Sequence, residues 1–267
     1  MVGPERPDPD SVHMRGKNRK PRVSRRELGQ AQVESALTLP LALFMILGAI
    51  QLFMIQNARV MAEYAAFRAA RAGSVNHANC TAMLHSALAA VLPAVRATNG
   101  IRPLGEAFEA VKDNTFGSGY EMSNGLDVGN EDVVWIYRDS PRLSDISGDE
   151  DSDFDYLREG EDPLQIKISL VFWYPMRIPF ADWILFRTAM AGMGIQEHVG
   201  NNPLMPTAET TWERGSVPEY ITRFSEVRSK MSEHLNGRRY LLPIQTSYTM
   251  RMMTPAKRRH LANLKCE

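Results

Sequence analysis

The sequence predicts an α+β chain in which a long N-terminal transmembrane helix, extended by a stalk helix, leads into an exported domain with a small antiparallel sheet and helices. Three observations predict this. A cluster of cations runs directly into the apolar stretch ALTLPLALFMILGAIQLFMI at 36–55. An alanine-rich segment with spaced charges follows it. Further along, three segments rich in β-branched and aromatic residues carry the strand signal.

The first element is the basic one. The 267-residue chain has a formal net charge of zero, yet Arg15, Lys17, Arg19, Lys20, Arg22, Arg25 and Arg26 lie together with no acid among them. Apolar sequence follows at once, where a nucleic-acid arm would offer aromatic or amide residues for base contacts, so the cluster argues against a nucleic-acid partner. It reads instead as a cytoplasmic flank under the positive-inside rule. Residues 1–29 form this leader, 30–73 the transmembrane and stalk helix, and 74–267 the exported domain.

The apolar stretch is long enough, at about 1.5 Å per residue, to cross a hydrocarbon core of about 30 Å. Thr38, Pro40, Gly48 and Gln51 interrupt it, and Pro40 should kink the helix. It is too long for an ordinary secretory signal. "SRREL" at Ser24 makes a twin-arginine signal the more serious rival. Glu34, a carboxylate beside the apolar run, argues against both, because intramembrane acids are costly and mark function.

The stretch RRELGQAQVESALTLPLALFMILGAIQLF resembles the N-terminal segment of TadE-like proteins, minor pilins or pseudopilins of tight-adherence (Tad) pilus systems. The resemblance implies cleavage by a prepilin peptidase after Gly29, which makes Gln30 the first mature residue and Glu34 the fifth. It implies that Glu34 pairs with the free amine at the start of a neighbouring subunit. Ser35 departs from the aromatic residue common in the family after that glutamate, and Gln30 can cyclise and remove its own amine.

Partners implied are the prepilin peptidase, other pilin or pseudopilin subunits, the Tad-type assembly machinery and the membrane, with no cofactor. The place implied is the bacterial inner membrane, single-pass, with the N-terminus cytoplasmic and the C-terminal domain periplasmic, or extracellular within a filament. Two alternatives stay open: a Glu34 simply solvated among headgroups, and a signal-anchored periplasmic binding or enzyme domain.

The segment QNARVMAEYAAFRAARAG continues the helix to about Gly73, and its alanines offer a surface to like helices. A second helix from about Asn79 to Ala97 places Leu84, Leu88, Val91 and Val95 on one face. PLGEAFEAVKDN gives a short third helix, and Phe116–Gly129 reads as loop. Strands are expected at DVVWIYRD, at LQIKISLVFWYP with Ile166, Ile168 and Leu170 on one face, and at YLLPIQTSYTMRMM with Thr246, Tyr248 and Met250 on one side.

Between the last two strands, MRIPFADWILFRTAMAGMG is too short and interrupted to span a bilayer. It lies on the membrane surface beside the anchor or packs as a core helix; with only Arg177 and Arg187 to supply a basic face, core packing is favoured. VPEYITRFSEVRSKMSEHLNG reads as a surface helix with Tyr220, Phe224 and Val227 on one face and Gly237 past its end.

The two cysteines, Cys80 and Cys266, show no metal spacing. Export permits a disulfide between them; two free thiols, one on a mobile tail, is the other reading. In the acidic loop near 145–162, Asp149, Asp151, Asp153 and Asp155 alternate. A calcium loop counted from Asp149 requires Gly and Glu where Phe154 and Gly160 stand, so a solvated loop is the preferred reading over an irregular calcium site. No metal site is assigned. The six histidines are scattered, no catalytic motif appears, and the expectation is a protein that is not an enzyme, with no catalytic residues.

Overall fold

A computed structural model describes Gly3 and residues 25–96, 104–146, 164–192 and 218–266, with side chains except at 25–31, 192 and 218–224. The cations at 15–22 and the aspartates at 149–155 lie outside the described residues. The chain divides into two compact units, one ending at Leu43 and the other beginning at Phe44.

Helix α1 runs Arg25–Val75, with Pro40 inside it. In the first unit it exposes Val33, Leu37, Leu39, Leu41 and Leu43. Among the described residues, Gln32–Val75 is the one helix long and apolar enough to cross a membrane, its most apolar window having a mean hydropathy of 2.2.

In the second unit α1 goes on from Phe44 and buries one stripe. Ala58, Ala62, Ala65, Ala66, Ala69 and Ala70 recur at three- and four-residue steps and all belong to the core. Gly73 does not end the helix, as its residue type suggested. It lies inside, and a Cβ there would clash with Ile166 Cδ1 and meet Met83 Sδ at 2.6 Å, so it is needed for close packing. The chain reverses just beyond, where His77 (φ 56°) and Ala78 (φ 61°) take the left-handed conformation and the Ala78 N–H donates to the Gly73 carbonyl at 2.9 Å.

Helix α2, Cys80–Val95, begins at Asn79, whose side-chain oxygen accepts from the N–H groups of Thr81 and Ala82. Leu84, Leu88, Val91 and Val95 are buried as their spacing requires. Helix α3, Leu104–Glu109, is the expected short turn of helix, and the loop after it contains only isolated bridges.

Strands β1 (Val134–Ser140), β2 (Gln165–Pro175), β3 (Leu241–Arg251) and β4 (Lys265–Cys266) form one antiparallel sheet in the order β3-β2-β1-β4. Ile166, Ile168 and Leu170 all face the core. On β3, the Thr246 hydroxyl donates to the Ala62 carbonyl, Tyr248 packs edge-on against Phe67 at 5.3 Å, and Met250 meets Ser74. Those three side chains therefore lay β3 along α1, in the same direction.

Helix α4, Ala181–Gly192, buries Ala181, Phe186 and Met190 but leaves Trp183 exposed. Helix α5, Pro218–Asn236, buries Val227 and Met231, and Gly237 follows its end. The opposite sheet face receives α5: the Tyr137 hydroxyl donates to Glu226 at 2.7 Å, and Trp173 stacks edge-on with His234 at 5.0 Å.

Candidate assembly site

The N-terminal part of α1 carries the residues singled out in the sequence. Gly29 and Gln30 lie within the helix, and Glu34 stands exposed one turn further on, with no ion-pair partner among the described residues. Its neighbours Val33 and Leu37 are exposed too. The helix continues through Pro40, where one backbone hydrogen bond is necessarily absent. Among the described residues nothing neutralises or covers Glu34.

The alanine stripe behaves otherwise. It was expected to offer a surface to other helices, but Ala62, Ala65, Ala66, Ala69 and Ala70 have no exposure at all. Small side chains let the sheet and α2 approach α1 closely, and the chain's own core takes up the face. The part of the α1 surface left open carries Val60, Tyr64 and the exposed ion pair between Arg59 and Glu63.

Three polar arrangements fix this core, and none was evident from motif spacing. The first is Gln51, the first buried residue among the described side chains of α1. Its Oε1 accepts the backbone N–H of Ile178 at 3.0 Å and of Arg177 at 3.3 Å. Arg177 in turn donates through Nη2 to the carbonyls of Ala94 and Val95, satisfying the last turn of α2.

The second is Arg138, wholly buried on β1. Its guanidinium donates to the carbonyls of Pro141, Ala78, His260 and Asn263. Burial pulls its pKa down to about 10, and it remains charged at neutral pH. Cys80 and Cys266 form a disulfide beside it, with Cα atoms 5.1 Å apart, and Nη1 of Arg138 lies 3.7 Å from Cys80 Sγ. The C-terminal segment is thus held at β4.

The third is Glu131, whose carboxylate accepts from buried His234 at 3.1 Å, from Lys230 at 3.0 Å, and from Arg239. The hydrogen bond from His234, helped by Lys230, holds its carboxyl down to about 2, against the desolvation that burial imposes. This network joins the loop before β1 to α5.

Among the described residues no group of three or more His, Cys, Asp or Glu side chains could hold a metal ion. Two surface clefts, of about 460 and 580 Å³, are lined without a histidine or a cysteine.

A helix with an exposed apolar first part, joined to an α+β unit that packs on its second part, defines a helix-anchored protein with one candidate membrane span among the described residues. Residues 29–71, all within α1, match the model of the TadE-like protein family. That family is one of pilus-associated structural proteins, and the match supports an association with the Tad pilus and the membrane. No curated protein and no solved structure matches the chain.

Proposed function

We propose that this protein is a minor pilin or pseudopilin that supports assembly of a Tad-type pilus or secretion apparatus. Glu34 is the observation that carries the reading: an exposed acid with no partner among the described residues, at the head of an exposed apolar helix, inside the segment that matches TadE-like proteins. In this account a prepilin peptidase cuts between Gly29 and Gln30, and the basic leader stays in the cytoplasm. The second unit is carried across the inner membrane.

An intramembrane carboxylate needs a partner to offset its desolvation. Among the described residues none is supplied, and in this account assembly supplies it: the new amine of a neighbouring subunit meets Glu34, and the contact reports that the subunit is in place. Pro40 frees one carbonyl and bends the span near this contact. The role is structural, with Cys80–Cys266, Arg138 and Glu131 keeping the second unit rigid outside the cytoplasm.

The experiment is co-purification of Glu34→Ala with the native assembly complex. Cleavage is expected to proceed normally in this variant while its recovery in the complex drops by an order of magnitude or more. Normal recovery would rule out the assembly role of Glu34.

A further inference from the structure

We propose that Phe180 and Trp183, at the turn into α4, sit in the interfacial layer of the membrane that α1 crosses, on the side of the second unit. The inference rests on α1 being a membrane span, as proposed above.

Position comes first. Gln51 binds the backbone of Arg177 and Ile178, so the turn meets α1 at the level of residue 51. At that level α1 is still apolar and uncovered: Ile50 is 45% exposed, Leu52 49% and Phe53 67%. Strand β3 starts beside Pro175 and then follows α1 away from this point, so the rest of the sheet lies farther along the helix. Among the described residues of this unit the turn therefore lies beside the apolar residues 50–53 of α1, and the strands lie farther along the helix.

The chemistry of the turn fits that depth. Phe180 is 76% exposed and Trp183 46%. Phe180 also has φ 68°, a left-handed conformation that a bulky side chain adopts only at a cost, and water returns nothing for exposing its ring. Trp is enriched where bilayer meets water. Arg187 lies over the Trp183 ring at 5.4 Å, an arrangement that lets the guanidinium reach headgroup oxygens while the ring stays in the apolar layer.

The acid of the turn is turned inward. Asp182 is buried, accepting from the Ser123 hydroxyl at 2.8 Å and from the backbone N–H of Trp183 at 2.7 Å, so its charge does not face the proposed lipid surface. Buried Phe186 and Met190 fix α4 behind the turn. The sequence allowed either core packing or a surface position for this segment; its two faces do both.

The test uses the full chain reconstituted in dioleoylphosphatidylcholine vesicles containing phosphatidylcholine brominated at either a shallow or a deep acyl position. The chain has four tryptophans, and the difference between the native chain and Trp183→Phe cancels the contribution shared by Trp135, Trp173 and Trp212 and so isolates Trp183. Shallow bromines are expected to quench the native chain more than deep ones, with that excess lost in Trp183→Phe and reduced in Phe180→Ser. Equal quenching of native and Trp183→Phe chains that resist carbonate extraction would overturn the interfacial contact and leave the span intact. Release of the native chain by carbonate would overturn both.

Discussion

Arg138 Nη2 donates to the carbonyl of Asn263 at 2.7 Å, and through this bond a buried cation on the last residue of β1's regular pairing with β2 holds the last segment of the chain. The other guanidinium bonds reach Ala78, Pro141 and His260, so one side chain joins the α1–α2 reversal to the C-terminus. The disulfide closes the same junction covalently.

Arg138→Met keeps an unbranched stem but removes the guanidinium and leaves the carbonyls it serves without this donor, each buried one costing about 1–3 kcal/mol. The variant should lose about 3 kcal/mol or more in denaturant unfolding of the detergent-solubilised protein. A loss within about 0.5 kcal/mol, the range of an ordinary surface substitution, would show that the clamp is dispensable.

Cys266→Ser opens a loop spanning 186 residues. The chain-entropy model sets a ceiling of about 5 kcal/mol for its closure. Because Arg138 grips the same segment, the double variant Arg138→Met with Cys266→Ser should lose less than the two single losses added. Strict additivity would mean that the clamp and the bridge hold independent parts.

Acid should weaken the unit through Glu131. Its folded-state pKa of about 2 lies below the ordinary 4.5, so its stabilisation is complete above about pH 4.5 and is lost as the pH falls toward 2. Thermal unfolding followed by circular dichroism should show the melting temperature of the native chain falling through this window more steeply than that of Glu131→Gln. Parallel curves would remove Glu131 from the account.

Asparagine tolerates the left-handed conformation that Phe180 is forced to adopt. Phe180→Asn in detergent should therefore raise the melting temperature, by about 2–4 °C for each kcal/mol of strain relieved in a chain of this size. A lowered value would mean that the Phe180 ring contributes to packing in spite of its exposure.

Gln51→Leu removes the acceptor for two backbone N–H groups. With those amides unpaired at about 1–3 kcal/mol each, hydrogen exchange at Arg177 and Ile178 should accelerate at least tenfold, measured by mass spectrometry. Unchanged protection there would separate this turn from α1.

Much of this architecture could be read from sequence because its signals are local. The apolar run, the 3.6-residue spacing of Leu84, Leu88, Val91 and Val95, and the alternation of Ile166, Ile168 and Leu170 each fix a buried face without reference to the rest of the chain. Strand β4 could not be read this way, since Lys265 and Cys266 are too short a pair to show any period. The Glu131–His234 contact joins residues 103 apart, a distance over which sequence carries no spacing rule.

Two other features left a signal that pattern reading can use. Arg138 shares the face of Val134 and Ile136 by simple alternation, which marks a charge directed into the core. The steps among Ala58, Ala62, Ala65 and Ala69 mark a buried stripe, whereas alanine content alone suggested a surface for other helices. Gln51 read as a mere interruption of the apolar run because its partners, the amides of Arg177 and Ile178, lie far along the chain.

The most direct test of the central claim is the N-terminal mass of the protein recovered from its native membrane. A chain beginning at Gln30, free or cyclised, is the predicted result and would establish cleavage after Gly29 by a prepilin-type peptidase. A chain beginning at Met1, or at a site beyond the apolar run, would contradict the account and leave Glu34 as a charge without an assembly role.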